Sequence, residues 1–215
     1  MNNFRIVCDQ DGVLTNLMGF WTNKINKLLN TNYTNETWTK YNIFEVLRDK
    51  GHTEGEALQA IDILKESVDL YKYSFNEDGA EELIDYLYSI KNICHLTLHT
   101  KAVNDVACHG KKLWHEMREL GKVFDTIHID IEKSSKIVNS DKNNNDCDIL
   151  IDDNFTYIDK WLRHWNDKTR VGILVKQPWN SDKQIEELIS MGHNVIRCSV
   201  SEVGNVIAEY IDGNS

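Results

Sequence analysis

Six short apolar runs, rich in β-branched residues, punctuate the chain: FRIVCD (4–9), ICHLTLHT (93–100), DTIHID (125–130), DILIDD (148–153), VGILV (171–175) and NVIRC (194–198). Each has the length and make-up of a buried strand. Between most of them, apolar positions recur at 3-and-4 spacing. In EDGAEELIDYLYSIKN, residues Ala80, Leu83, Ile84, Leu87 and Ile90 share one face, which predicts an amphipathic helix. VNDVACHGKKLWHEMRELG and NFTYIDKWLRHWND read the same way, the first with a glycine stop signal at Gly121. SDKQIEELISMG opens on a Ser N-cap and closes on Gly192. Alternation of this kind predicts an α/β fold built on a Rossmann-like, doubly wound parallel sheet.

One segment breaks the alternation. Residues 17–79 contain helical patterns (LMGFWTNKINKLLN, IFEVLRDKG, EGEALQAIDILKESVDLY) and an aromatic-rich link, NYTNETWTKYN, but no convincing strand. The expected organisation is therefore a core of residues 1–16 and 80–215, with a small helical cap at 17–79 inserted after the first strand. NSDKNNND (139–146) reads as a polar loop. The single proline, Pro178, lies in KQPWN just after a strand.

Composition narrows the function classes. The 215 residues carry a formal net charge of −10, which argues against a broad footprint on a long nucleic acid. A small anionic substrate held by a few local cations or a metal stays open. The odd count of five cysteines, with no CxxC pair, suits reduced thiols in a cytoplasm better than a disulfide framework. No apolar run is long enough to span a membrane, so the cytoplasm is the expected location.

In an open parallel sheet, ligands bind beyond the carboxyl ends of the strands. The first strand ends in Asp9, with Asp11 two residues on. The second ends in Thr100 and Lys101, and the 148–153 strand in Asp152 and Asp153. Lys111 and Lys112 follow on the next helix. Taken singly, a DxDG is a turn as readily as a site, and IDD is a helix cap. Together, four carboxylates at one sheet edge would repel strongly without a cation, and Mg2+ takes oxygen ligands. His95 and His99 are better read as packing or surface groups than as a metal pair.

At these residues the sequence resembles the haloacid dehalogenase-like superfamily of phosphotransferases. DQDGV matches the first motif, Thr100 the second, Lys111 the third and LIDD (150–153) the acidic fourth. Within the superfamily, VCDQDGVLTN, KKLW, ILIDDN and GILVKQPWN are most similar to the 5'(3')-deoxyribonucleotidases. Gln10 stands where an apolar residue is usual, and Asn16 and Leu17 replace an acid and an aromatic. Thr97 competes with Thr100 for the second motif.

The resemblance implies a Mg2+-dependent phosphomonoesterase acting through an aspartyl phosphate. Asp9 would be the nucleophile and Asp11 the general acid and base. Asp9, the backbone carbonyl of Asp11 and Asp152 would hold the metal. Thr100, Lys111 and Lys136 would bind the phosphate, with Asp153 orienting Lys111. The implied partner is a small phosphorylated substrate, a (deoxy)nucleoside monophosphate above others, with monomer or homodimer left open.

Substrate choice would come from the cap, where Phe20, Trp21, Trp38, Tyr41 and Phe44 are the candidates to stack on a base or else to form the cap's own core. Trp38 is the first choice, because its neighbours in ETWTKYN are polar. The rival readings are a phosphatase for a non-nucleotide monoester or a nucleic-acid 3'-phosphate end, and a phospho-accepting receiver-like signalling domain.

Overall fold

A computed structural model describes residues 4–131 and 145–214, with the side chain of residue 64 left aside. Six parallel strands form the sheet: β1 (Phe4–Cys8), β4 (Cys94–Ala102), β5 (Thr126–Ile131), β6 (Ile149–Asp152), β7 (Val171–Val175) and β8 (Asn194–Cys198), in the spatial order β5-β4-β1-β6-β7-β8. The chain starts in the middle, winds to one side, then crosses over and winds to the other. This places the topological switch between β1 and β6, where a crevice opens beyond the strand ends. Alternation along β1 explains the packing. Ile6 and Cys8 enter the core layer that holds Leu83 and Leu87 of α5 (Ala80–Ile90) and Val203 and Ile207 of α9 (Val200–Gly213). Val7 faces the opposite layer, with Ile158, Trp161 and Leu162 of α7 (Phe155–Trp165) and Ile185 and Leu188 of α8 (Asp182–Ser190).

The strands lie where the apolar runs predict them, and three features depart from the pattern. α6 (Asp105–Met117) stops short of Gly121, which falls in a separate 3-10 turn, and Glu119 takes the left-handed conformation instead. α9 buries Val200, Val203, Ile207 and Ile211 at the same 3-and-4 spacing, yet is not among the predicted helices. A short antiparallel pair, β2 (Thr15–Asn16) with β3 (Phe75–Asn76), brings together the two ends of the inserted segment. Such a short pairing has no sequence period of its own.

The segment holds α1 (Leu17–Leu29), α2 (Ile43–Asp49), α3 (Glu54–Glu66) and α4 (Val68–Lys72). Asn16, at the position where an acid is usual, caps α1 by accepting the Gly19 N–H at 2.6 Å. The apolar faces of these helices meet around Trp21, Ile25, Trp38, Leu47 and Leu70. That cluster continues into Ala102 at the end of β4 and Ala107 and Cys108 of α6. α4 packs so closely on α6 that a Cβ on Gly110 would lie 2.6 Å from the Val68 carbonyl oxygen and 2.8 Å from Cβ of Tyr71. Gly110 thus lets Tyr71 come down beside the next residue of α6, Lys111.

Candidate active site

The site begins where β1 runs out. The Asp9 N–H still donates to the Ile151 carbonyl at 2.9 Å, which ties the loop to β6. The Gln10 carbonyl then accepts from Leu14 (2.8 Å) and Thr15 (2.9 Å), folding residues 10–15 into a tight turn. Gly12 makes the turn possible. Its φ is +73°, and an added Cβ would lie 2.6 Å from Oδ2 of Asp153.

Two groups of charged side chains occupy the crevice. In the first, Asp9, Asp152 and Asp153 are all buried, and each offers a carboxylate oxygen within 4.8 Å of the others. Asp152 Oδ1 accepts the Asn154 N–H at 2.9 Å, and Asn154 in turn caps α7. Asp153 Oδ2 accepts the Trp179 indole N–H at 3.0 Å. In the second group, Lys111 is 0% exposed and reaches back from α6 to donate to Asp11 Oδ2 and to Thr100 Oγ1, the latter at 2.7 Å. Thr15 Oγ1 donates to the other Asp11 oxygen at 3.1 Å. The Lys111 ammonium lies 5.8 Å from the ring centre of Tyr71. An ammonium out of water is tolerable only with such partners around it.

The predicted residues therefore divide differently from the expectation. Asp9 and Asp152 meet as expected, and Asp153 joins them. The Asp11 carboxylate, expected to act as acid and base rather than as a metal ligand, faces Lys111. Lys111 donates to Asp11 and Thr100, while Asp153, expected to orient it, accepts from Trp179. Thr100, buried and lining the cavity, is the hydroxyl at the site. Thr97 lies three residues back in the body of the sheet, paired with Val7 and Thr126. Lys136 lies outside the described residues. His99 bonds Asp130 (2.8 Å) and Asn145 (2.9 Å) away from the acidic cluster, and His95 lies beside Asp125 (3.3 Å).

A cavity of about 300 Å³ opens in front of these groups. Leu17, Met18 and Ile43 give it an apolar wall, and Tyr41, Tyr71, Tyr157 and Trp179 an aromatic one. Of the five predicted base-binding residues only Tyr41 takes part. Trp38 is 0% exposed, packs on Trp21 (5.5 Å) and Tyr33 (5.7 Å), and donates its indole N–H to Thr22 at 2.7 Å. Its polar immediate neighbours were misleading, because Trp21 and Thr22 of α1, with Tyr33 from five residues upstream, enclose the ring. Trp21 is buried too, donating to the Ala60 carbonyl at 3.1 Å. Phe20 packs edge-on against Phe75 at 5.4 Å, and Phe44 packs within the cap cluster.

Tyr41 is 60% exposed, and the surface it shows lines the cavity. Tyr71, Tyr157 and Trp179 escaped the sequence reading. A signal for Trp179 was present, since KQPWN directly follows a strand.

No protein-family model matches the sequence, and no curated protein does. Solved structures do match over almost the whole chain. A haloacid dehalogenase-like family hydrolase from Streptococcus pneumoniae aligns at 14% identity with a TM-score of 0.61, covering 96% of this chain and 99% of that one. A HAD family hydrolase from Deinococcus radiodurans R1, with bound phosphate and sodium, aligns at 12% identity and a TM-score of 0.56, covering 97% and 96%. A hydrolase from Pseudomonas syringae gives 14% and 0.54, covering 96% and 99%. The fold is that of the haloacid dehalogenase-like hydrolases. The narrower likeness to the deoxyribonucleotidases rests on the sequence motifs alone.

Proposed function

We propose that this chain is a Mg2+-dependent phosphomonoesterase that works through an aspartyl phosphate on Asp9 and takes nucleoside monophosphates, as a 5'(3')-deoxyribonucleotidase does. The observation that carries the reading is a buried three-carboxylate cluster and a buried lysine bonded to Asp11 and Thr100, both reaching one cavity through Asp9, Asp153, Asp11 and Thr100 on its wall. The cluster suits a hard divalent cation: its donors are all carboxylate oxygens, gathered within 4.8 Å of one another. Asp9, Asp152 and Asp153 would hold the ion. When bound, Mg2+ supplies positive charge that offsets the repulsion between a carboxylate nucleophile and a phosphate.

The chain's own residues supply the rest. A carboxylate oxygen of Asp9 forms a bond to phosphorus as the ester P–O bond breaks, and the electron pair leaves on the alkoxide. Lys111 and Thr100 bind the non-bridging oxygens, whose negative charge is spread in the transition state. A phosphoryl oxygen that draws the Lys111 ammonium loosens its pair with Asp11. Freed from the ammonium, the Asp11 carboxylate takes up the proton of the incoming monoester monoanion, passes it to the leaving oxygen, and then takes one from the water that splits the acyl phosphate. Asp9 is returned as a carboxylate and inorganic phosphate is released.

The aromatic wall supports a nucleotide as substrate, because stacking a base on an aromatic face is worth about 1–3 kcal/mol. Tyr41 replaces Trp38 as the stacking residue of choice. A phosphate-release screen tests the reading, using deoxy- and ribonucleoside monophosphates beside sugar phosphates and p-nitrophenyl phosphate. Turnover with Mg2+, lost on adding EDTA and highest for a nucleotide, is expected. Equal release in metal-free buffer would overturn the metal assignment, and sugar phosphates outrunning every nucleotide would overturn the substrate.

A further inference from the structure

Between the two aspartates of the loop sits Gln10, pointing the other way. Asp9 and Asp11 line the cavity, whereas Gln10 is 1% exposed and turns into the protein behind them. Its Oε1 lies 2.8 Å from Nε2 of His115, itself only 5% exposed. An amide oxygen can only accept, so Nε2 carries the hydrogen. His115 follows Lys111 by four residues on α6 and therefore lies on the same face, one turn further along. The helix thus grips the aspartate loop at two points: Lys111 holds Asp11, and His115 holds Gln10.

We propose that Gln10 and His115 are a positioning pair that sets the separation between the Asp9–Asp11 loop and Lys111. Two apolar side chains would fill the same space without needing to be desolvated as polar groups. What they could not do is hold the loop in one register against α6. The pair's value is greatest when the first grip is released. On the phosphomonoesterase reading, on which this inference rests, the incoming phosphate competes with Asp11 for Lys111. Gln10–His115 is then the contact that keeps Asp9 and Asp11 in place through the chemical step. Burial and the nearby Lys111 charge push His115 down to about 4, so the imidazole is neutral at ordinary pH and adds no second cation beside the lysine.

The test uses the full chain and the variants Gln10→Leu, His115→Leu, their double, and His115→Gln, whose amide can donate from nearly the same place as Nε2. Each Leu variant should lower kcat about tenfold or more with KM within about twofold, and the double should be no worse than either single. His115→Gln should recover most of the rate. An NMR arm is independent of turnover: in Gln10→Leu the slowly exchanging His115 Nε2–H signal should vanish and the Lys111 ammonium resonance should shift. Unchanged kcat in the Leu variants of an active enzyme would overturn the pair. So would losses that His115→Gln fails to restore. If the wild type releases no phosphate from any substrate, the phosphatase reading fails separately, and an unmoved Lys111 resonance in Gln10→Leu overturns the pair on its own.

Discussion

The crevice has two unlike sides. On the strand-end side Lys111, Thr100, Asp152 and Asp153 are buried and tied to other groups: Lys111 to Thr100 and to the half-buried Asp11, Asp153 to Trp179, Asp152 to the N–H of Asn154. On the cap side the cavity meets open apolar and aromatic surface, with the exposed Tyr41 on its wall. The first arrangement stores fixed charge and resists rearrangement. The second offers area and little geometry. Chemistry and selectivity are therefore expected to separate between the two sides, and substitutions on each should leave different kinetic signatures.

The sharpest test lies on the strand-end side. Asp9→Asn should cost at least about 10⁴-fold in kcat, roughly 5.5 kcal/mol, for every substrate alike. Near-normal rates would mean that the nucleophile lies elsewhere. The next effect belongs to the cap's interior rather than to its surface. Trp38→Ala removes a fully buried ring and should destabilise the fold by about 3–5 kcal/mol, read by denaturant unfolding. Activity on nucleotides and on p-nitrophenyl phosphate should fall together. A loss confined to nucleotides would return Trp38 to the binding surface.

A third measurement concerns the layer behind the aspartates. His115 is held down to about 4 from an ordinary 6.5, first by burial and then by Lys111. Between pH 6.5 and about 4 the unfolded chain takes up a proton that the folded chain refuses. Stability is therefore complete above this window and falls as pH drops through it, by about 3 kcal/mol in all. His115→Gln should remove that part of the slope from a Tm-against-pH curve, and an identical slope in the variant would contradict the burial argument. The smallest effect lies on the cap side. Tyr41→Ala should lower kcat/KM for the best nucleotide about tenfold, or roughly 1.4 kcal/mol, and spare p-nitrophenyl phosphate. Equal losses on both substrates would erase the proposed division between the two sides.

How much of this was readable beforehand follows the range of the interactions involved. The six strands, and the gathering of Asp9, Thr100 and Asp152 at one sheet edge, could be read from apolar runs that end in polar residues. In a parallel sheet, residues just past the strand ends become neighbours whatever lies between them in sequence. Lys111 was legible through the motif order. Trp38 was not legible as a core residue, since polar flanks describe the local chain and its partners Trp21 and Thr22 belong to another helix.

By itself, then, the sequence determined the layers of the fold and the carboxylates that crowd its switch point, because hydrophobic period and strand polarity act locally and repeat. Only the tertiary structure decided which acid joins which partner. Asp153 joins Asp9 and Asp152 while the Asp11 carboxylate pairs with Lys111, Tyr41 rather than Trp38 faces the cavity, and Gln10 finds His115 across 105 residues of chain. Each of those outcomes depends on how helices settle against the sheet edge. That is a matter of packing between distant segments, and no spacing within either segment encodes it.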